Sequence, residues 1–457
     1  MPEQTPARPN VIWVFGDQHR AFAQSHMGDP NVHTPEMDRM AAEGLTFRRA
    51  IAGNPWCTPF RASLLTSKYS HHSCVRTPQR LDPSLGTVAD PFNDAGYDTA
   101  YFGKWHLGGW PEDKGRSAFH IIPPNERGRF RTWIGYENNN SQFDCWVHGH
   151  DADGEEIDLY KLPGYETDAL TDLLIDYLRR RQAPPVATSN ELPENPDPSF
   201  AVLSVQPPHD PYVFAPNVRS RSAGDIQLRP NVPPVQRIQD EARKDLAGYY
   251  SMIENIDYNL GRIRRALEET GLWANTHIMF FSDHGDMHHS HGIVRKSVPH
   301  EESIRIPFLI GGCREHYTGR GGAHDALVNH VDIAPTTLGL CGLPVPDWMD
   351  GFDYSDYRRY DRATPLPGEP DSAYLQQCVH KHGSGVDRPW RAIVTRDGWK
   401  YACLENQPYM LFNLNEDPYE LANHATDGRY RAVRERLQER LAQWISDTGD
   451  SFPLPED

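Results

Sequence analysis

Cys57-Thr58-Pro59-Phe60-Arg61 places a thiol, a proline and an arginine at a spacing that can do chemistry. Thr58 is expected as an N-cap and Pro59 as the first helical residue, so a helix should begin here. Cys57 then sits at a helix N-terminus, where free backbone N–H groups favour an anion, and Arg61, one turn on, adds a permanent positive charge. A buried structural cysteine beside a surface arginine would give the same pentapeptide. Residues 11–15 and 277–281 are apolar runs that read as buried strands, followed by Gly16-Asp17-Gln18 and by Ser282-Asp283-His284-Gly285. Ligand sites in open α/β sheets lie beyond the carboxyl ends of strands, which makes Asp17, Gln18, Asp283 and His284 candidate ligands of one ion. Three oxygen donors and one nitrogen suit Ca²⁺, Mg²⁺ or Mn²⁺ better than a soft-ligand zinc site. An aspartate at a strand end is by itself as readily a loop cap; its coincidence with Cys57 favours the ligand role.

Three further fragments carry cations or imidazoles. In Gly103-Lys104-Trp105-His106, Lys104 and His106 are two residues apart and are expected on one side of an extended segment. His209 follows an apolar strand at 200–205, in Gln206-Pro207-Pro208-His209-Asp210-Pro211-Tyr212, and Lys296 follows the glycine-bounded stretch 285–292. Alone, each reads as a solvated lysine or a satisfied loop histidine. His284, His288, His289 and His291 crowd one short stretch, but neither a cysteine ligand nor a His-Glu-x-x-His helix accompanies them. Only His284 is therefore assigned to metal, and the others to the cleft mouth or to water.

Residues 57–68 resemble the sulfatase signature, a cysteine, x, proline, x, arginine run continuing into a small-residue and leucine helix, with Ser67 where a glycine is usual. That resemblance implies an α/β, alkaline phosphatase-like fold and a nucleophile made from Cys57 by a maturation enzyme, which oxidises it to formylglycine (3-oxoalanine). It implies one divalent metal, Ca²⁺ before Mn²⁺ or Mg²⁺, held by Asp17, Gln18, Cys57, Asp283 and His284; some relatives carry Asp and Asn in place of Gln18 and His284. It implies a catalytic set of Cys57, Arg61, Lys104, His106, His209 and Lys296, with Lys104, His209 and Lys296 on the sulfate. The implied reaction is hydrolysis of a small sulfate ester, with a sulfated carbohydrate expected and choline sulfate or an aryl sulfate as alternatives. Phosphonate monoester and phosphodiester hydrolases of the same superfamily also use formylglycine and an Asp-Gln, Asp-His metal set. They lack the Gly-Lys-x-His motif, so Lys104 and His106 favour sulfate. A catalytically silent binding protein on this scaffold should have lost Cys57, Arg61 or a metal carboxylate, and none is missing. Trp105, Trp110, Trp146 and Tyr212 are candidates to stack on the organic half of the substrate, or to be core aromatics.

The elements that must position these residues alternate, as a largely parallel sheet requires. Leu170, Leu173, Leu174, Tyr177 and Leu178 mark one amphipathic helix; Leu246, Tyr249, Ile253, Ile256, Leu260, Ile263 and Leu267 mark a longer one ending before Gly271. A further strand is expected at 306–310, a solvent loop at the proline-rich 182–198, and lids or specificity walls at the polar 107–165 and 213–240. From about residue 370 short strands with tight turns are expected at 372–375, 390–394, 399–402 and 409–414, then a closing helix through Tyr430, Leu437 and Trp444. The expected architecture is a large, mostly parallel sheet flanked by helices at 1–370, with a small antiparallel sheet and closing helix at 371–457. With 457 residues and a net charge of −17, nucleic acid is excluded as a partner, and attraction of an anion must come from a local basic pocket. A run of eighteen apolar residues is lacking, so a membrane span is not expected. The first eight residues lack the apolar stretch of a secretory signal, and seven scattered cysteines do not form a disulfide framework. A reducing cytoplasm fits, and homo-oligomerisation stays open.

Overall fold

Residues 10–16 are buried along their whole length, as expected of a strand covered on both faces. The computed structural model describes residues 8–74, 80–110, 115–181, 197–313, 322–360, 365–379 and 386–456. Ten of its strands form one sheet: β1 (Asn10–Gly16), β2 (Leu45–Phe47), β3 (Asp98–Lys104), β4 (Thr132–Tyr136), β5 (Trp146–His150), β6 (Glu156–Lys161), β7 (Ser199–Ser204), β8 (Thr276–Ser282), β9 (Phe308–Gly312) and β10 (Gly322–His324). Their spatial order is β10-β2-β9-β8-β1-β7-β3-β4-β5-β6. The central five, from β8 to β4, are all parallel.

Alternation along β1 splits the core. Val11, Trp13 and Phe15 face the side carrying the helices Cys57–Thr66 and Ile333–Leu340, while Ile12 and Val14 face the helices Glu166–Arg180 and Gln236–Glu269. The long helix begins at residue 236 and contributes Leu246, Tyr249, Ile253, Ile256, Leu260, Ile263 and Leu267 at the expected spacing.

The segment 107–165 departs from expectation. It is no lid alone: β4, β5 and β6 extend the main sheet to its edge. Their burial is mixed, and β6 alternates exposed with half-buried residues, so an edge strand there reads as polar sequence. The strand expected at 306–310 lies two residues later, at β9. Of the proline-rich stretch 182–198, all but the last two residues lie outside the described residues, as do residues 1–7.

A second sheet, β11 (Ser372–Gln377), β12 (Trp390–Thr395), β13 (Trp399–Leu404) and β14 (Gln407–Asn413), is antiparallel in sequence order. The helix Arg431–Asp447 buries Leu437 and Leu441 on it, and Trp444 stacks on Tyr374. This sheet buttresses the functional end of the main one. Trp390 Nε1 donates to the Ser297 carbonyl at 3.1 Å, and Lys400 Nζ meets Glu301 Oε1 at 3.1 Å and also Glu420. Among the described residues no helix is long and apolar enough to cross a membrane.

Candidate active site

Strand register brings the first two carboxylates together. Gly16 of β1 lies opposite Ser282 of β8, so Asp17 and Asp283 leave the sheet side by side. Gln18 takes a left-handed φ of 76°, and its backbone N–H donates to Asp283 Oδ1 at 3.1 Å. One strand along, Gly103 pairs with Ser204 and precedes Lys104. At Gly103 φ is +108°, and a Cβ would lie 2.0 Å from the Ser204 carbonyl oxygen, so only glycine fits before this lysine.

The helix carrying the nucleophile candidate begins at Cys57 itself. Thr58 is not its N-cap. Trp56, extended at φ −147°, precedes the helix, and its carbonyl accepts from Phe60 N at 3.0 Å. Pro59 stands inside the first turn, where its missing N–H would have had no helical partner. Ser67 ends this helix at a left-handed φ of 50°, the conformation that explains a usual glycine. Its hydroxyl donates to the Val331 carbonyl at 2.6 Å and accepts from Gly351 N at 3.2 Å. Ser67→Ala keeps the backbone strain and loses both bonds, so it is expected to destabilise by about 1–3 kcal/mol, more than Ser67→Gly does. Urea midpoints check this; an alanine variant as stable as the parent would contradict it.

The side chains converge. Cys57 Sγ lies 3.1 Å from His284 Nε2, 3.1 Å from Lys296 Nζ and 3.5 Å from Asp17 Oδ1. Arg61 donates to Asp283 Oδ2 at 3.1 Å and to Asp17 Oδ2 at 3.3 Å, and to Ser204 Oγ and the Lys104 carbonyl. Lys104 Nζ reaches Asp17 Oδ2 at 2.5 Å, and Lys296 Nζ reaches Gln18 Oε1 at 2.6 Å. His209 contacts Asp210 through Nδ1 and feels the charges of Lys296 and Asp17.

His106 is placed differently from expectation. Strand β3 ends at Lys104, and His106 takes φ 55°, so the alternation of an extended segment does not reach it. Among the described residues it makes no hydrogen bond with the others, and its Nδ1 is enclosed without a partner. His288 and His289 are buried, not facing water: His288 packs 4.1 Å from the Tyr249 ring. Trp105 is fully buried in the core and is no stacking platform, whereas Trp110 stacks on His120 and Trp146 meets exposed Phe119 edge-on. Asp286 escaped the sequence reading although it stands three residues after Asp283; it accepts from Gln18 and Tyr212.

The charges sort these groups. Burial would raise Cys57, and so would Asp17, but Lys296, His284 and Lys104 hold its thiol well below the usual value. Burial would also raise Asp17, yet Lys104, Lys296, His209 and His284 keep it well below the carboxylate range. Asp283 goes the other way, to about 6, pushed up by burial and by the negative charge of Asp17. His209 is driven well down by burial and Lys296 and is neutral.

Asp17, Cys57, Asp283 and His284 bring one ligand atom each to within 4.8 Å of one another, and Gln18 turns its oxygen to the same side as Lys296. Two adjoining buried carboxylates that repel each other, with an imidazole and an amide oxygen beside them, fit a divalent cation. A second cluster, His291, His300 and Glu420, is a weaker candidate. Both oxygens of Glu420 are already engaged, one by Lys400 and one by Glu301 N at 2.8 Å.

Comparison with known proteins adds ancestry to this geometry. The sulfatase family matches over residues 9–343. The C-terminal family of N-sulphoglucosamine sulphohydrolase matches over 289–447. An ulvan-active sulfatase of Formosa agariphila is 31% identical over 459 aligned residues, covering 98% of this chain and 83% of its own. An endo-4-O-sulfatase of Bacteroides thetaiotaomicron is 28% identical, covering 97% and 93%. A solved structure in complex with its substrate D-glucosamine-2-N,6-O-disulfate superposes with a TM-score of 0.78 at 23% identity, covering 98% of this chain and 99% of that one.

Proposed function

The chain belongs to the sulfatase family and is a sulfuric ester hydrolase, and we propose that it cleaves a sulfated carbohydrate with a nucleophile made from Cys57. The observation that carries this is the setting of residue 57. It lies at a helix N-terminus, within 3.1 Å of one ammonium, while a second ammonium and a guanidinium hold the neighbouring carboxylate Asp17. Three buried cations around one nucleophile position suit a substrate whose transition state gathers negative charge on a tetrahedral anion. The saccharide is supported by one relative that is ulvan-active and by a neighbour solved with a glucosamine sulfate.

Formylglycine, formed from Cys57 by a maturation enzyme, would supply as its hydrate one hydroxyl to attack sulfur and a second through which the sulfate could be expelled without water attacking sulfur. A cation held by Asp17, Gln18, Asp283, His284 and residue 57, Ca²⁺ in this proposal, supplies positive charge beside that nucleophile. Arg61 holds Asp17 and Asp283 in place through a two-carboxylate fork. Lys104 and Lys296 bind sulfate oxygens as charge builds on them, and Lys296 or the neutral His209 controls the proton taken by the departing alcohol. His106, whose Nδ1 has no partner, takes the proton from the second hydroxyl. Seven free cysteines support a reducing compartment such as the cytoplasm.

Incubation with chelator is expected to remove sulfate release, and Ca²⁺ or Mn²⁺ to restore it. Full activity in protein shown to be metal-free would take Asp17, Gln18, Asp283 and His284 out of these roles. The substrate class is tested with a panel of sulfated mono- and disaccharides beside choline sulfate, an aryl sulfate and a phosphonate monoester. Highest kcat/KM on a saccharide sulfate supports the proposal. Preference for the phosphonate would replace it with the hydrolase reading that the Gln18 and His284 pair also suits.

A further inference from the structure

Gln18 differs from the other candidate ligands in one respect. A carboxylate presents oxygen whichever way it turns, but a carboxamide has an oxygen end and an NH₂ end of nearly equal shape. Turned the wrong way, Gln18 would offer N–H donors to a cation. Its orientation therefore has to be set by its partners. Gln18 Nε2 donates to Asp286 Oδ2 at 2.5 Å and approaches the Tyr212 hydroxyl at 3.3 Å. At the other end, Oε1 accepts from Lys296 Nζ at 2.6 Å. A carboxylate only accepts and an ammonium only donates, so neither partner can pair with the opposite end of the amide.

Asp286 is itself held in place. Its Oδ2 also accepts from Tyr212 OH at 2.6 Å, and its Oδ1 accepts from His288 N at 2.9 Å. It is 1% exposed, and Tyr212 packs against the rings of Tyr249 and His288. We propose that Asp286, assisted by the Tyr212 hydroxyl, is the positioning residue that turns the Gln18 carboxamide oxygen toward the metal site. The same contact accounts for an amide at position 18: a glutamate, the acid of the same length, would set its charge against a buried carboxylate. Loss of a partner that orients a ligand typically costs about 10–100-fold in metal affinity. This inference rests on the reading of Asp17, Gln18, Asp283 and His284 as a metal site, and is independent of the substrate.

The test is Ca²⁺ titration of metal-stripped, full-length protein, read by calorimetry and by the Ca²⁺-dependent rise in Tm. Asp286→Asn can offer either end of its own amide, so it no longer dictates how Gln18 turns. It is expected to weaken Ca²⁺ binding about 10–100-fold while leaving the Tm of the metal-free protein near that of the parent. Gln18→Glu alone is expected to lose affinity through repulsion from Asp286, and the double variant Gln18→Glu/Asp286→Asn to regain most of it. A structural role for Asp286 alone predicts no such recovery. Tyr212→Phe, which keeps the ring, carries the test if Asp286→Asn does not fold, with a smaller loss of affinity expected. Asp286→Asn or Tyr212→Phe binding Ca²⁺ as tightly as the parent would overturn the proposal, as would a double variant no better than Gln18→Glu. Failure of the unaltered protein to bind Ca²⁺ or Mn²⁺ would instead strike the metal-site reading itself.

Discussion

Replacing Cys57 by alanine is expected to lower sulfate ester turnover by on the order of 10⁵-fold, to background, because the group that attacks sulfur is gone while the pocket stays. The fold should survive. Cys57 is a small buried residue at the first position of its helix, and that helix is held by Phe60, Leu64 and Leu65 in the core. The variant should therefore keep four of the five proposed metal ligands and unfold near the parent's Tm. Losing the side chain of residue 57 leaves Lys296 with Gln18 and Asp17 as partners, so no buried charge is stranded. Activity within about tenfold of the parent would remove residue 57 from the chemistry.

Lys104 and His106 are expected to fail in different ways. Lys104 Nζ is buried, 2.5 Å from Asp17, and within the same pocket as Lys296, so its charge tightens on sulfate as the transition state forms. Lys104→Ala should cost about 3 kcal/mol of transition-state stabilisation, roughly a hundredfold in kcat/KM. It also removes a counter-charge of Asp17, so the carboxylate should titrate higher than in the parent. His106→Ala should instead slow release of sulfate: a burst of alcohol precedes a slow steady state, and a sulfated form of residue 57 accumulates. Pre-steady-state measurement of alcohol and sulfate separates the two steps. Near-parent rates in both variants would move these residues out of the reaction and favour the phosphonate hydrolase reading.

Most of the site was legible because its residues are tied to strand ends. Apolar runs at 11–15 and 277–281 predict buried parallel strands, and the parallel register turns their sequence neighbours Asp17 and Asp283 into spatial ones. Lys104 follows the same logic through the Gly103–Ser204 pairing. What escaped depends on backbone states that residue type does not announce. His288, His289, His291, Arg295 and Ser297 all adopt left-handed φ around Lys296, so no periodicity indicated which of their side chains turn inward. The extended segment expected through His106 stops at Lys104 for the same reason, φ being 55° at His106. Asp286 was missed because its partners Gln18 and Tyr212 lie 268 and 74 residues away, a contact that only the folded chain creates. Edge strand β6 was hidden by its half-solvated residues and β5, buried at its centre, by its polar composition Trp-Val-His-Gly-His, whereas the small C-terminal sheet was visible through its short apolar strands and tight turns such as Asp397-Gly398.

The central claim is that this chain hydrolyses sulfate esters with an oxidised Cys57. It is tested most directly by the mass of the peptide holding residue 57, taken from protein that is active on a sulfated saccharide. The account predicts a peptide that has lost the elements of H₂S and gained one oxygen, the change from a thiol to an aldehyde, in proportion to activity across preparations. Fully active protein in which that peptide carries only an unmodified cysteine would contradict it.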